Sequence, residues 1–199
     1  MNSKIPPYLI LFILFLLSVN SNAQEINFGG YYNYSVTVTP ESGGVLDFGT
    51  ILTDEGVVDI DITSPSVAVY SIEGVKYLDA FVTVTSPGYI YLDGNSGCID
   101  STCRIPLEVK AAYANRGVNN ALQSIEITGI PTYTSGRFPI KYRGSAPPGP
   151  PPTPVYEGYT PSASINIETA YLYIYGQLTV ASHIIGTYSS NITIAIDYE

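Results

Sequence analysis

The chain has no Trp, one Met, one His and two Cys among its 199 residues. Its eight Lys and Arg face 17 Asp and Glu, for a formal net charge of −9. Each scarcity excludes something. No two basic residues are adjacent, whereas faces that bind nucleic acid or anionic membranes cluster Lys and Arg. The negative balance itself speaks to solubility and self-repulsion. His183 stands alone in VASHIIG, with no Ser or Cys assignable to it as a nucleophile. No phosphate loop or dinucleotide fingerprint is written, and Gly29-Gly30 and Gly43-Gly44 read as turn glycines. The stretch DGNSGCID, from Asp93 to Asp100, lacks the Asp/Asn triplet and closing Glu of a calcium loop. Its Asp93-Gly94 reads as a hairpin turn. A glycosidase would need two carboxylates meeting in a cleft, and no residue pattern singles out such a pair. No cofactor, no metal and no enzyme activity are expected.

Long apolar runs are also missing, with one exception. Tyr8 to Val19 is almost wholly apolar, Lys4 precedes it, and Ser21-Asn22-Ala23 ends in a small residue. That arrangement predicts a signal peptide over residues 1–23. The run falls short of the roughly 20 residues a membrane span needs. No Cys follows Ala23 to take a lipid anchor. Cleavage removes Lys4 and 23 of the 199 residues, leaving 176 residues and a charge of −10. The mature chain is expected to lack a membrane span and to be secreted, in the periplasm or on the cell surface. Its length fits one domain burying about 70% of its unfolded surface.

The two Cys are Cys98 and Cys103, in GCIDSTCR. A pair in an exported chain predicts one disulfide. The spacing is not C-x2-C, and the lone His lies 80 residues from Cys103, which disfavours a redox pair or half a zinc site.

Helical periodicity is the last absence, and what stands in its place is β-sheet. The chain carries 18 Tyr, 18 Gly and 15 Pro. β-Branched and aromatic runs are punctuated by Gly, Pro, Ser, Asn and Asp every 8 to 12 residues or so, the rhythm of an all-β sandwich or barrel. The pattern predicts strands over residues 31–39, 45–52, 57–63, 67–72, 80–85, 89–92, 105–113, 122–128, 164–167, 171–180 and 188–198. Val58, Ile60 and Ile62 should face inward and Asp59 and Asp61 outward. Val82 and Val84 set a second inward face, opposed by Thr83 and Thr85. A one-residue slip would bury the two Asp, so register is well specified. The stretch 112–121 reads as a loop or a short helical turn. GSAPPGPPPTPVYEGYTPS, residues 144–162, is too rich in Pro for a ladder and reads as an inserted surface loop. Residues 31–199 form the sandwich domain.

The Tyr residues admit two readings. Tyr171, Tyr173 and Tyr175 share one strand face, and Tyr31, Tyr32, Tyr34, Tyr89 and Tyr91 add others. Such rings could stack on sugars or fill an interface. They also suit half-buried strand faces. Asn33-Tyr34-Ser35 and Asn191-Ile192-Thr193 match glycosylation acceptors, but both sit inside predicted strands.

Two segments carry a family resemblance. One is LDFGTI, Leu46 to Ile51, followed by VVDIDIT and AFVTVTSP. The other is YGQLTVASHIIGTYSSNITIAIDY, Tyr175 to Tyr198. Their order resembles the bacterial domain of unknown function 4402 family, itself similar to spore-coat-protein-U and fimbrial-subunit proteins. The Cys pair, the 112–121 stretch and the Pro-rich insertion depart from it. The resemblance implies an immunoglobulin-like, pilin-like antiparallel β-sandwich, single-domain once the signal peptide is gone. It also implies a structural or adhesive cell-surface role.

The end of the chain sharpens this. Ile192, Ile194, Ile196 and Tyr198 alternate with Asn191, Thr193, Ala195 and Asp197. Tyr198 is penultimate, and Gly186 is the fourteenth residue counting back from Glu199. Subunits of chaperone–usher fimbriae end similarly, and there the last strand borders a groove. A chaperone fills that groove first, then the N-terminal extension of the next subunit. Such strand addition takes affinity from backbone hydrogen bonds and register from alternate side chains. The resemblance thus implies like subunits or a periplasmic chaperone as partners. Ile192, Ile194, Ile196 and Tyr198, with Gly186 before them, form the acceptor side. Residues 24–30 would then form the extension, with Ile26, Phe28 and Gly30 on the donor side; the alternative is that Ile26–Val38 is one ordinary first strand and the sandwich closes on itself. The other expectation is a monomeric secreted binding module, for carbohydrate, using exposed Tyr.

Overall fold

The computed structural model describes residues 35–198, except 42, 77 and 145–166. The signal peptide, the extension with Ile26, Phe28 and Gly30, the strand at 164–167 save its last residue, and nearly all of the Pro-rich loop lie outside those residues.

Alternation and β-branching decide the local structure, and every described element but one short turn is extended. The strands are β1 (Thr37–Glu41), β2 (Gly56–Ile60), β3 (Ala68–Val75), β4 (Asp79–Thr85), β5 (Tyr89–Leu92) and β6 (Arg104–Ala114). They continue with β7 (Ile125–Ile127), β8 (Gly129–Ile130), β9 (Tyr133–Pro139), β10 (Ile167–Val180), β11 (Tyr188–Ser189) and β12 (Thr193–Tyr198). All pairings are antiparallel. The first sheet runs β1-β3-β10-β6-β5-β11, with β2 also on β10 and β7 also on β6. The second runs β12-β4-β9-β8. The protein is an all-β sandwich of two antiparallel sheets.

β10 organises the first sheet. Its 14 residues pair with β6 on one side, and with β3 and then β2 on the other. At Gly176 the neighbours come so close that a Cβ would collide with the Glu108 carbonyl. Glycine is required there by the approach of another backbone.

The core lies between the sheets. Ile72, Leu172, Ile174 and Leu178 from the first sheet meet Ala80, Val82, Val84 and Phe138 from the second, all at 2% exposure or less. Fully burying one such side chain is worth about 1.5–3 kcal/mol. A smaller cluster covers the outer face of the first sheet, where Ile60, Val67, Ala114 and Tyr173 are buried beneath Leu46, Phe48 and Ile62. Around β10 the sheet is therefore covered on both faces. The alternation predicted for β2 holds as burial, with Val58, Ile60 and Ile62 covered and Asp59 and Asp61 exposed. Cys98 and Cys103 stand at disulfide distance in the β5–β6 loop, their Cα atoms 6.3 Å apart.

Five expectations need correction. Residue 167 and residues 171–180, predicted in separate strands, belong to one continuous strand, β10. Residues 45–52 are not a strand: Asp47 accepts the Gly49 N–H on its side chain at 2.8 Å, and Gly49 has a φ of +66°. That local turn breaks the extended run. Residues 122–128 begin as a 3-10 turn (Ala121–Gln123) capped by the Asn120 side chain, and become strand at Ile125. The strands β8 and β9 are additions to the predicted set, because GIPTYTSGRFP reads as turn chemistry. Inside, Thr134 and Phe138 face the core, and Gly136 makes room for Ile127. Lastly, residues 188–198 are two strands in two sheets, not one.

Candidate functional site

The last two strands form an edge that bends from one sheet into the other. β11 pairs with β5 and β12 pairs with β4. Along this ribbon Tyr198 lies opposite Ala80 and Thr193 opposite Thr85, but Ser189 lies opposite Tyr91. The register slips by two residues where the strands turn the corner, as happens when strands switch sheets through bends and bulges.

β12 is the edge strand of the second sheet. Among the described residues its ladder partner is β4 alone. Thr193, Ala195 and Asp197 are exposed; Ile192, Ile194, Ile196 and Tyr198 are half-buried against the main core. Those four residues thus share one face, as their alternation predicts. They are covered less than the corresponding residues of β4, where Val82 and Val84 are buried. An edge strand presents a row of unpaired amide and carbonyl groups, a template for another strand.

Tyr198 anchors the end of this strand. Its hydroxyl accepts the N–H of Val75 in β3 at 2.7 Å, tying the second sheet to the first. Burial pushes the Tyr198 hydroxyl above its ordinary value, and the Val75 amide offsets part of that rise. Gly74 leaves room for the ring: a Cβ there would stand 2.7 Å from the hydroxyl and 3.0 Å from Ile140. The tie joins residues 123 apart. An isolated Gly within a strand pattern is the one sequence signal that hints at such a close approach.

Gly186 is placed elsewhere. It lies in the turn before β11, where a Cβ would run into the Leu92 side chain. That turn is braced by the Cys98–Cys103 loop. Ile184 donates to the Thr102 carbonyl at 2.9 Å, and the Tyr188 hydroxyl reaches the same carbonyl at 3.2 Å. Asp54 donates to the Ala181 carbonyl at 3.1 Å, bringing a third loop to this end. The three loops expose Leu52, Ile99, Ile184 and Ile185.

The Tyr faces are mostly occupied. Tyr173 is 2% exposed and donates to the Asn119 side chain at 2.7 Å, so the 115–120 stretch folds over it. Desolvation pushes its hydroxyl up to about 12. Tyr171 and Tyr175 are half-buried in the same cluster. Tyr89 and Tyr91 lie 6.3 Å apart, with Arg104 stacked 4.5 Å over Tyr89. A shallow hollow of about 120 Å³ between the sheets is lined by Glu108, Lys110, Glu126, Ile130 and Thr134, without Tyr.

His183 sits with Nδ1 2.8 Å from the Ala181 carbonyl and Nε2 3.1 Å from the Arg104 carbonyl. It fastens the β10–β11 turn to the start of β6. Among the described residues no three His, Cys, Asp or Glu are grouped to hold a metal. No helix among them is long and apolar enough to cross a membrane. The chain matches no family model, no curated protein and no solved structure.

Proposed function

We propose that this protein is a secreted, non-enzymatic subunit of a cell-surface structure, fimbrial or adhesive, built as an immunoglobulin-like, pilin-like sandwich. It works without a cofactor and joins its partners by strand addition at β12. The supporting observation is the terminal strand: one described ladder partner, an alternating face half-buried against the core, and a length of 6 residues. Another extended strand could add its backbone bonds there and finish covering Ile192, Ile194 and Ile196. The partners are like subunits donating Ile26, Phe28 and Gly30, or a periplasmic chaperone. The exposed aliphatic loops around Leu52, Ile99 and Ile185 offer surface contacts of a second kind.

The test is the oligomeric state of the mature protein with and without residues 24–30. Heat-sensitive ladders that vanish on deletion are expected. A stable monomer indifferent to the deletion would overturn the proposal and turn attention to what the Tyr-bearing faces bind. Ile194→Asp places a charge on the half-buried face and should abolish assembly or folding; unchanged stability with unchanged assembly would count against the role of β12.

A further inference from the structure

β1 and β3 pair from Glu41 opposite Val69 to Thr37 opposite Glu73. Two residues further in the same register, Ser35 would lie opposite Val75. The direction of the β3 amides can be read from one contact. The Ser71 hydroxyl reaches the carbonyl of Thr39, directly across the ladder, at 3.3 Å. In an antiparallel pair that carbonyl points toward the partner strand only where the two residues exchange hydrogen bonds. Backbone groups alternate sides along a strand, so Ser71, Glu73 and Val75 all turn toward β1. Val75 is thus the next rung of the β1–β3 ladder.

Both backbone groups of that rung are already engaged. The Val75 N–H donates to the Tyr198 hydroxyl at 2.7 Å, and the Val75 carbonyl accepts from Leu78 at 3.0 Å. The ladder ends at Thr37, and Ser35 and Val36 lie outside the strand. Gly74 keeps the position open, since a side chain there would meet the Tyr198 hydroxyl and Ile140.

We propose that Tyr198 is the stop of the β1–β3 ladder: it occupies the rung Ser35 would take, so that the pairing of β1 with β3 ends at Thr37. One residue then does two jobs. It locks β12, the proposed acceptor strand, to β3, and it ends the pairing of β1 with β3. The ladder stop stands on its own geometry; its use in assembly rests on the function proposed above.

The test is nuclear magnetic resonance on the mature chain and its Tyr198→Phe variant. If the ladder continues, Val36 and Gly74 become a directly opposed pair without mutual hydrogen bonds, whose Hα atoms approach closely. A Val36–Gly74 Hα–Hα Overhauser contact is expected in Tyr198→Phe and absent from the parent. Its absence from a folded Tyr198→Phe overturns the proposal and leaves Tyr198 as a link between sheets alone. Should that variant fail to fold, Gly74→Ala displaces the ring while keeping the hydroxyl. The same Hα–Hα contact between positions 36 and 74 then decides the matter: its appearance supports the ladder stop, and its absence overturns it. The readout is confined to residues 35–36 and 74–75, so it answers whether or not the chain forms oligomers.

Discussion

β10 and β12 are both apolar strands of one sandwich, yet they stand at opposite extremes. β10 has ladder partners on both sides, and both of its faces are covered. β12 has one described partner and a half-buried face. Under the function proposed above, the difference separates two tasks. The strand that holds the fold together offers nothing to a partner. The strand that could receive one contributes less to the core.

Substitutions should expose that division. The largest effect is expected from Leu172→Ala in β10, at 0% exposure, costing about 3 kcal/mol in denaturant unfolding. Next comes alkali. Below pH 10 the Tyr173 hydroxyl is protonated in both folded and unfolded chains. Between about 10 and about 12 the unfolded chain ionises and the folded one resists. Stability should therefore fall across that window by roughly 2 kcal/mol from this group alone. The alkaline limb of a pH–stability curve should flatten in Tyr173→Phe. Ile196→Ala in β12 should cost about 1.5 kcal/mol, roughly half the β10 value, because its side chain is only half removed from water. Equal losses at Leu172 and Ile196 would erase the contrast between the strands. Smallest is Asn119→Ala, which removes the acceptor over Tyr173 and should cost about 1 kcal/mol. It should also raise proteolytic nicking in the 115–120 stretch.

Strict alternation is the legible part of the fold. The covered residues of β2 and the inward faces of β4 and the terminal strand follow from residues two apart, and β5 occupies the predicted 89–92. What escapes is decided at a distance. LDFGTI has strand-like composition, but Leu46 and Phe48 pack against both clusters, and the Asp47–Gly49 turn lets them. β9 hides among Gly, Ser and Pro because one of its inward positions is Gly136, where a Cβ would run into Ile127. At the candidate site, the shared face of Ile192, Ile194, Ile196 and Tyr198 is legible from period two. The Val75 partner of Tyr198 is not, since nothing local links residues so far apart in the chain.

The bent ribbon of residues 79–92 and 188–198 has a mechanical consequence. Four steps from Ser189 to Thr193 face six from Thr85 to Tyr91. A strand peeled back from Tyr198 would tear through the ladder to Thr193 and there lose its line. Beyond the corner the pairing is offset and belongs to the other sheet, so the rip has no continuous seam to follow. Under load the end of the chain could come away from β4 while β11 stays fastened, which makes the corner a rip-stop.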